Sequence, residues 1–378
     1  MKQDLTQGSI TRTLLWFALP MTVGNLLQQL YNIADTLIIG QFVGANALAA
    51  VGSSYTLMTF LTSILLGLSM GSGVAVSIAF GQKDWDRLKR GVFLSFSGIG
   101  LAAVALSSLA FLGIDEIMRL LQVPEEIYEL MRRYLLVIFT GIGGTFLYNY
   151  LACLLRAIGN SVTPLIFLGI SAVLNVVLDL LFVLSAGWGV AGAAFATVIA
   201  QWLSGIGLLL YTVRKAPELL PGRCHMKWNR EEAAGIFRLS MITSVQQSIM
   251  NFGILMVQGR VNSFGPAVMA AFAAAVKIDS FAYMPVQEFG NAFSTFIAQN
   301  FGAARYDRIR RGVRSAFVTA VVFSLLVSVL VFVFAEPLML IFVRPDETEI
   351  IAVGVAYLRI EGAFYCGIGI LFLLYGYY

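Results

Sequence analysis

The sequence predicts an all-α polytopic membrane protein built as two homologous helical lobes, six helices and then four, and three observations carry that prediction. Of 378 residues, 58% are hydrophobic and only 12% charged, with a mean hydropathy of +0.82; soluble domains carry about 25% charge. Apolar runs of about 20 residues or more, the length a helix needs to cross about 30 Å of hydrocarbon, recur along the chain without the alternation of barrel strands. The chain also repeats itself: FGQKDWDRLKRGV at 80–92 aligns without gaps to FGAARYDRIRRGV at 301–313. The same shift of 221 pairs Pro124 with Pro345, Glu126 with Glu347 and Gly141 with Gly362.

Taken in order, the first apolar run, 13–40, contains Pro20 and Asp35 and continues too far to be a cleaved signal segment. The second, 47–80, holds Gly67 and Gly71 at a spacing suited to close helix packing. The third, 91–113, follows the basic loop GQKDWDRLKR. The fourth, 133–155, carries Tyr134 and Asn149; the fifth, 163–185, carries Asn175 and Asp179; the sixth, 189–212, carries Thr197. A long basic segment, 213–235, precedes the seventh run at 236–262, where Gln246, Gln247 and Asn251 form a polar stripe. The eighth, 267–301, contains Lys277, Asp279 and Glu288, and the ninth and tenth are 313–335 and 351–376.

Six spans return the chain to the side it began on, so the repeats have parallel topology. The expected division is an N-terminal lobe at 1–212, a linker at 213–235 and a C-terminal lobe at 236–378. The second repeat reaches only the counterpart of Ala157, so the C-terminal lobe reads as truncated after its fourth helix. Basic loops belong inside. That rule places the N-terminus and every basic loop in the cytoplasm, in a multi-pass protein of the cell membrane.

The net charge of +4 is accounted for by those loops, so nucleic acid is not an expected partner. Three widely spaced cysteines fit neither a disulfide framework nor a zinc site. The absence of any Gly-Lys pair excludes a Walker-type phosphate loop, and the lone histidine, His225, lies in a loop, so no intramembrane triad is available. An enzyme is not expected, nor a cofactor.

The chemistry then rests on the acids inside the apolar runs. A carboxylate at the bilayer centre costs roughly 2.5–3.5 kcal/mol on insertion scales and usually faces a cavity, a partner or an ion path. Asp35 and Asp179 together point to a shared site. Asn175 and Asp179, four residues apart, share one helix face. With Thr197 and Asn149 they offer oxygen ligands for a hard cation such as Na⁺, or a carboxyl group able to carry a proton. For Asn149 and Thr197 the alternative is interhelical hydrogen bonding alone. Pro20 is either a tolerated kink or a hinge. In the second half Lys277 and Asp279 are expected to neutralise each other, and Glu288, Gln246 and Gln247 are second-tier candidates for cavity lining.

With Pro20 in the first helix, LRAIGNSVTPL after the fourth and GVAGAAFATVIAQ opening the sixth, the chain resembles the multidrug and toxic compound extrusion (MATE) transporters along essentially its whole length. It looks most like their DinF-type branch, with the last two of the usual twelve helices lacking. The resemblance implies a polar network of Asp35, Tyr134, Asn149, Asn175, Asp179 and Thr197, with Gln28 and Tyr31 lining the same cavity. It implies antiport in which Na⁺ or H⁺ binds at the acids, the first helix bends at Pro20, and an organic cation or amphiphile leaves. The protein would be a monomer in the bilayer if complete. The competing expectations are a lipid-linked precursor flippase of the same superfamily, which would need a basic cavity, and an inactive truncated fragment.

Overall fold

The computed structural model describes residues 3–121, 123–261, 264 and 266–377, and among them every regular element is helical. In chain order these are α1 (Ile10–Phe42), α2 (Ala45–Gln82), α3 (Trp85–Leu112), the short α4 (Ile114–Leu120), α5 (Glu125–Phe139), α6 (Ile142–Ala157), α7 (Val162–Asp179) and α8 (Gly189–Lys215). The second half contains α9 (Arg230–Val261), α10 (Pro266–Gly302), α11 (Tyr306–Leu340), α12 (Thr348–Ala363) and α13 (Tyr365–Tyr377).

Six of these helices are long and apolar enough to cross a membrane on their own: α2, α3, α7 with the turn after it, α8, α10 and α11. Two bent pairs are long and apolar enough when each is taken as one span, α5 with α6 at 47° and α12 with α13 at 51°. Of the ten expected spans, the first and seventh correspond to α1 and α9, which are long, 33 and 32 residues, but fall outside that set. Their polar side chains are the reason for α1: Asn25, Gln28, Gln29, Asn32 and Asp35 interrupt its hydropathy. The fourth span is longer than expected, beginning at Glu125, because its first turns form an amphipathic approach with Glu129 paired to Arg133 at 2.8 Å. Beside it Asp115 on α4 accepts from Arg132 at 2.9 Å, and this bond holds the Asp115 carboxyl below the usual carboxylate range.

The repeat read from sequence recurs in the backbone. Helices α2 and α10 begin 221 residues apart, as do α3 and α11. Lys83 and Ala304, equivalent positions in the two repeated loops, are the non-glycine residues with positive φ among those described, at 59° and 55°. The bends recur too: α5 gives way to α6 beside Gly141, and α12 to α13 beside Gly362. At the first bend Trp202 Nε1 donates to the Thr140 carbonyl at 3.0 Å, which satisfies a backbone group freed by the break. A Cβ on Gly141 would stand 2.7 Å from Gln201 Oε1, so α8 seats directly on the bend.

The helices gather into two compact units, residues 23–251 and residues 3–22 with 252–377. The division falls inside α1 and inside α9, not in the 213–235 segment, and packing explains where. In the first unit the α9 backbone lies against α2: a Cβ on Gly67 would meet Ser244 Cα at 2.4 Å, and one on Gly71 the Leu239 carbonyl oxygen at 2.5 Å. In the second unit Leu14, Phe17 and Met21 of α1 are buried with Phe289, Phe293 and Phe296 of α10. Leu5 is fully buried in the same cluster. Arg308 clasps the segment around it by donating to the carbonyls of Leu5, Gln7 and Gly8 at 2.6–3.3 Å.

Candidate functional site

The first unit brings together polar side chains from four helices, half-buried at Tyr31 and Asp35 and buried at Tyr134, Asn175 and Asp179, with Gln28 exposed at the edge. On α1, Gln28, Tyr31 and Asp35 fall at spacings of three and four residues and so share a face. Gln28 hydrogen-bonds the Tyr31 side chain, and Tyr31 lies within electrostatic reach of Asp35. On α7, Asn175 is 2% exposed and Asp179 fully buried. From α8, Thr197 Oγ1 accepts from Asn175 Nδ2 at 3.4 Å. From α5, buried Tyr134 lies within electrostatic reach of both Asp35 and Asp179, whose charges also act on each other.

The two acids and the amide are left with acceptor oxygens to satisfy. Asp35 Oδ1, Asn175 Oδ1 and both Asp179 oxygens are buried without a hydrogen-bond donor. A buried acceptor in this condition costs about 1–3 kcal/mol, and more if charged. A proton on a carboxyl group, or a small hard cation among these oxygens, removes that cost. Their surroundings are apolar: Ile38, Val176, Val183 and Val198 belong to one cluster with Tyr134.

The helix geometry changes at this point. Residues Leu180–Ser185 form a π-helical turn that begins immediately after Asp179. Such turns widen a helix by one residue and are common where function needs a side chain re-aimed. Sequence periodicity gave no sign of it, since the apolar run LLFVLS reads equally well in either register.

Other expected site residues stand apart. Asn149 turns its amide back to the Thr145 carbonyl at 2.9 Å within its own helix. Gln247 Nε2 points to Met70 Sδ at 3.7 Å, and Gln246 is half-buried on α9. Glu288 is buried on α10 and accepts from Asn291 at 3.1 Å. Pro20 lies inside α1, which continues through it.

One expectation is corrected. Lys277 and Asp279 do not pair: Lys277 is exposed, whereas Asp279 is 3% exposed and accepts from the Tyr365 hydroxyl of α13. Two residues of helix turn a side chain by about 200°, so the two face opposite sides. Tyr357 and Glu361 of α12 stand beside the same carboxylate. Sequence reading missed this second cluster; its one signal was the spacing of Tyr357 and Glu361, which puts both on one helix face.

A family model for MatE matches residues 20–181 and 240–378, one match in each repeat. The chain belongs to the MatE family. It is 30% identical over 373 residues, 99% of this chain and 83% of the relative, to the probable multidrug resistance protein YpnP of Bacillus subtilis (strain 168). Among solved structures, a multidrug resistance MATE family transporter of the MOP superfamily in its outward-facing conformation matches with a TM-score of 0.90 at 22% identity, over 99% of this chain and 84% of that one. The bent form of the MATE transporter VcmN of Vibrio cholerae matches with a TM-score of 0.89 at 23% identity, over 97% of this chain and 83% of that one. This MatE protein is thus a multi-pass membrane transporter and not an enzyme. The matches run over nearly the whole of this chain and over 83–84% of the length of these two proteins.

Proposed function

We propose that this MatE protein exports organic compounds, cationic or amphiphilic, in exchange for an inward-moving H⁺ or Na⁺ that binds between Asp35 and Asp179. The observation that carries the reading is the set of buried acceptor oxygens on Asp35, Asn175 and Asp179 without donors. An ion or proton that fills this set relieves an electrostatic cost, and an organic cation competing for the same carboxylates would displace it. Competition of this kind couples two fluxes through a shift between access states. Relatives named as multidrug resistance proteins support the class of cargo.

Pro20 supplies the hinge in this scheme. It removes the backbone hydrogen bond to the residue four before it, and α1 passes from one compact unit to the other between Thr22 and Val23, two residues later. The first lobe, 1–212, would carry the coupling site and the second, 236–378, would move with substrate, joined by 213–235 with the N-terminus cytoplasmic. Efflux of a fluorescent cation such as ethidium from proteoliposomes, driven in turn by an imposed pH gradient and an imposed Na⁺ gradient, tests the proposal. Export driven by neither gradient would overturn it.

A second reading is favoured by one specific observation: Asp279 is buried on α10 with Tyr365 and Glu361 around it, and a cavity of about 10 Å³, the size of one water, borders Tyr365 and Ser324. The second half would then hold a second ion or proton. Counting ions moved per ethidium decides it: Asp279→Asn lowers the count if both halves couple and leaves it unchanged if only the first does.

A further inference from the structure

The two repeated loops carry a matching aromatic feature outside the proposed coupling site. In the first, Phe80 and Trp85 make an edge-to-face pair with centroids 5.9 Å apart at 86°. In the second, their equivalents Phe301 and Tyr306 make the same pair at 6.1 Å and 80°. Each pair brackets the residue held at positive φ, Lys83 or Ala304, so the tight turn itself sets the aromatic geometry. The rings are not buried in a core: Trp85 is 41% exposed, Phe301 51% and Tyr306 56%.

Basic side chains surround both pairs, and the second repeat has more of them. Along α11, Tyr306, Arg310, Val313, Arg314 and Phe317 recur at helical spacing and are all exposed. The equivalent face of α3 retains Trp85, Lys89 and Phe96. Arg308 is already occupied by the carbonyls of residues 5–8, and Arg305 by the Thr6 carbonyl at 3.2 Å. Arg310 and Arg314 share no such contact with that segment, and Asp307 is the acid on the first turn. α11 is long and apolar enough to cross a membrane, and a crossing would put its arginine-bearing first turns toward the lipid headgroups.

We infer that the start of α11, with Phe301, Tyr306, Arg310 and Arg314, is a docking surface for the headgroups of anionic phospholipids, and that the start of α3 is its weaker counterpart. Charge complementarity selects the occupant. Aromatic rings seat at the headgroup level and guanidinium groups bind phosphate oxygens in paired hydrogen bonds, whereas a zwitterionic headgroup brings its own cation against Arg310 and Arg314. The asymmetry between the repeats follows from their sequences: the second loop and helix start carry Arg305, Arg310, Arg311 and Arg314 where the first carry Asp84, Lys89, Arg90 and Phe93.

The test uses the full purified chain in detergent, titrated with phosphatidylglycerol, phosphatidylcholine or inorganic phosphate, with thermal unfolding and native mass spectrometry as readouts. Phosphatidylglycerol should raise the unfolding midpoint and remain bound in preference to phosphatidylcholine, and inorganic phosphate should do neither. Arg310→Gln with Arg314→Gln should weaken phosphatidylglycerol binding about 30-fold, from about fivefold per charge. Arg310→Lys with Arg314→Lys should retain most of it, which separates lost charge from damaged folding. Equal retention of the two lipids by the unaltered chain, or a glutamine variant that keeps its preference, would overturn the inference. Phosphate alone reproducing the shift would overturn it as well.

Discussion

Asp179→Asn is the sharpest test of the coupling site. The side chain is fully buried and neither carboxylate oxygen meets a donor. Asparagine keeps the shape, removes the site's ability to take up a proton or a cation's charge, and offers Asn175 Oδ1 a possible amide donor. The variant should therefore fold as well as the parent, with an unfolding midpoint equal or higher, because an uncompensated buried charge has been removed. Transport should change in kind. In one-for-one exchange of H⁺ or Na⁺ for a monovalent cation such as ethidium the membrane potential cancels, so a tenfold ion gradient, about 1.4 kcal/mol, sustains about a tenfold substrate gradient. Without the ion, efflux should run only down the substrate's own gradient, and accumulated ethidium should level at equilibrium. The assay is ethidium efflux from proteoliposomes at fixed membrane potential, with protein content matched by immunoblot. Since Asp35 and Asp179 act on each other electrostatically, they should behave as one unit. The double variant with Asp35→Asn should be no worse than either single one. Uphill export by Asp179→Asn at the parent's level would refute the reasoning, and additive losses would refute the claim of a single site.

Three further outcomes follow from packing. Gly71→Ala places a methyl group 2.5 Å from the Leu239 carbonyl oxygen, where only backbone can yield, and should cost about 1–3 kcal/mol; thermal unfolding in detergent checks it. Leu5→Ala empties a fully buried position beside Phe17 and Phe296 and should cost about 2–5 kcal/mol, read as a lower midpoint together with faster proteolysis of the segment before α1. Trp202→Phe deletes the donor to the Thr140 carbonyl at the bend of the fourth span and should cost about 1–3 kcal/mol, and Gly141→Ala should also lower the midpoint because its methyl would stand 3.0 Å from the Ile138 carbonyl oxygen and from Val198.

Much of the fold was legible because membrane helices advertise themselves by length and hydropathy, and because the repeat could be aligned without gaps. The site was legible where cost exposes function: a carboxylate such as Asp35 or Asp179 has no cheap reason to lie in an apolar run. What stayed hidden depends on geometry that composition does not encode. The π-turn after Asp179 is a change of hydrogen-bond register within an apolar run, and α1 and α9 divide between two units because of which side chains they meet. Asp279 looked paired with Lys277 because they are near in sequence, yet its partner Tyr365 is 86 residues away.

The repeat itself explains which residues belong to which task. Where the two halves agree, the shared positions are turns, bends and loop aromatics: Lys83 with Ala304 at positive φ, Gly141 with Gly362 beside the bends, Phe80 with Phe301 in the loops. Where they disagree, the intramembrane acids appear. The shift of 221 sets Asp35 against Met256 and Asp279 against Met58, so each half carries its carboxylate where the other carries a flexible apolar side chain. A duplicated scaffold had no need to preserve a buried charge twice in the same place; each half could retain its geometry while acquiring its own. Symmetry therefore identifies the frame, and departures from it identify the chemistry. On that logic an exchange of Asp35→Met with Met256→Asp should fold and fail to couple, because Met256 is 63% exposed where Asp35 is half-buried, so the moved carboxylate would lack the apolar surroundings that make the site responsive to a proton or cation.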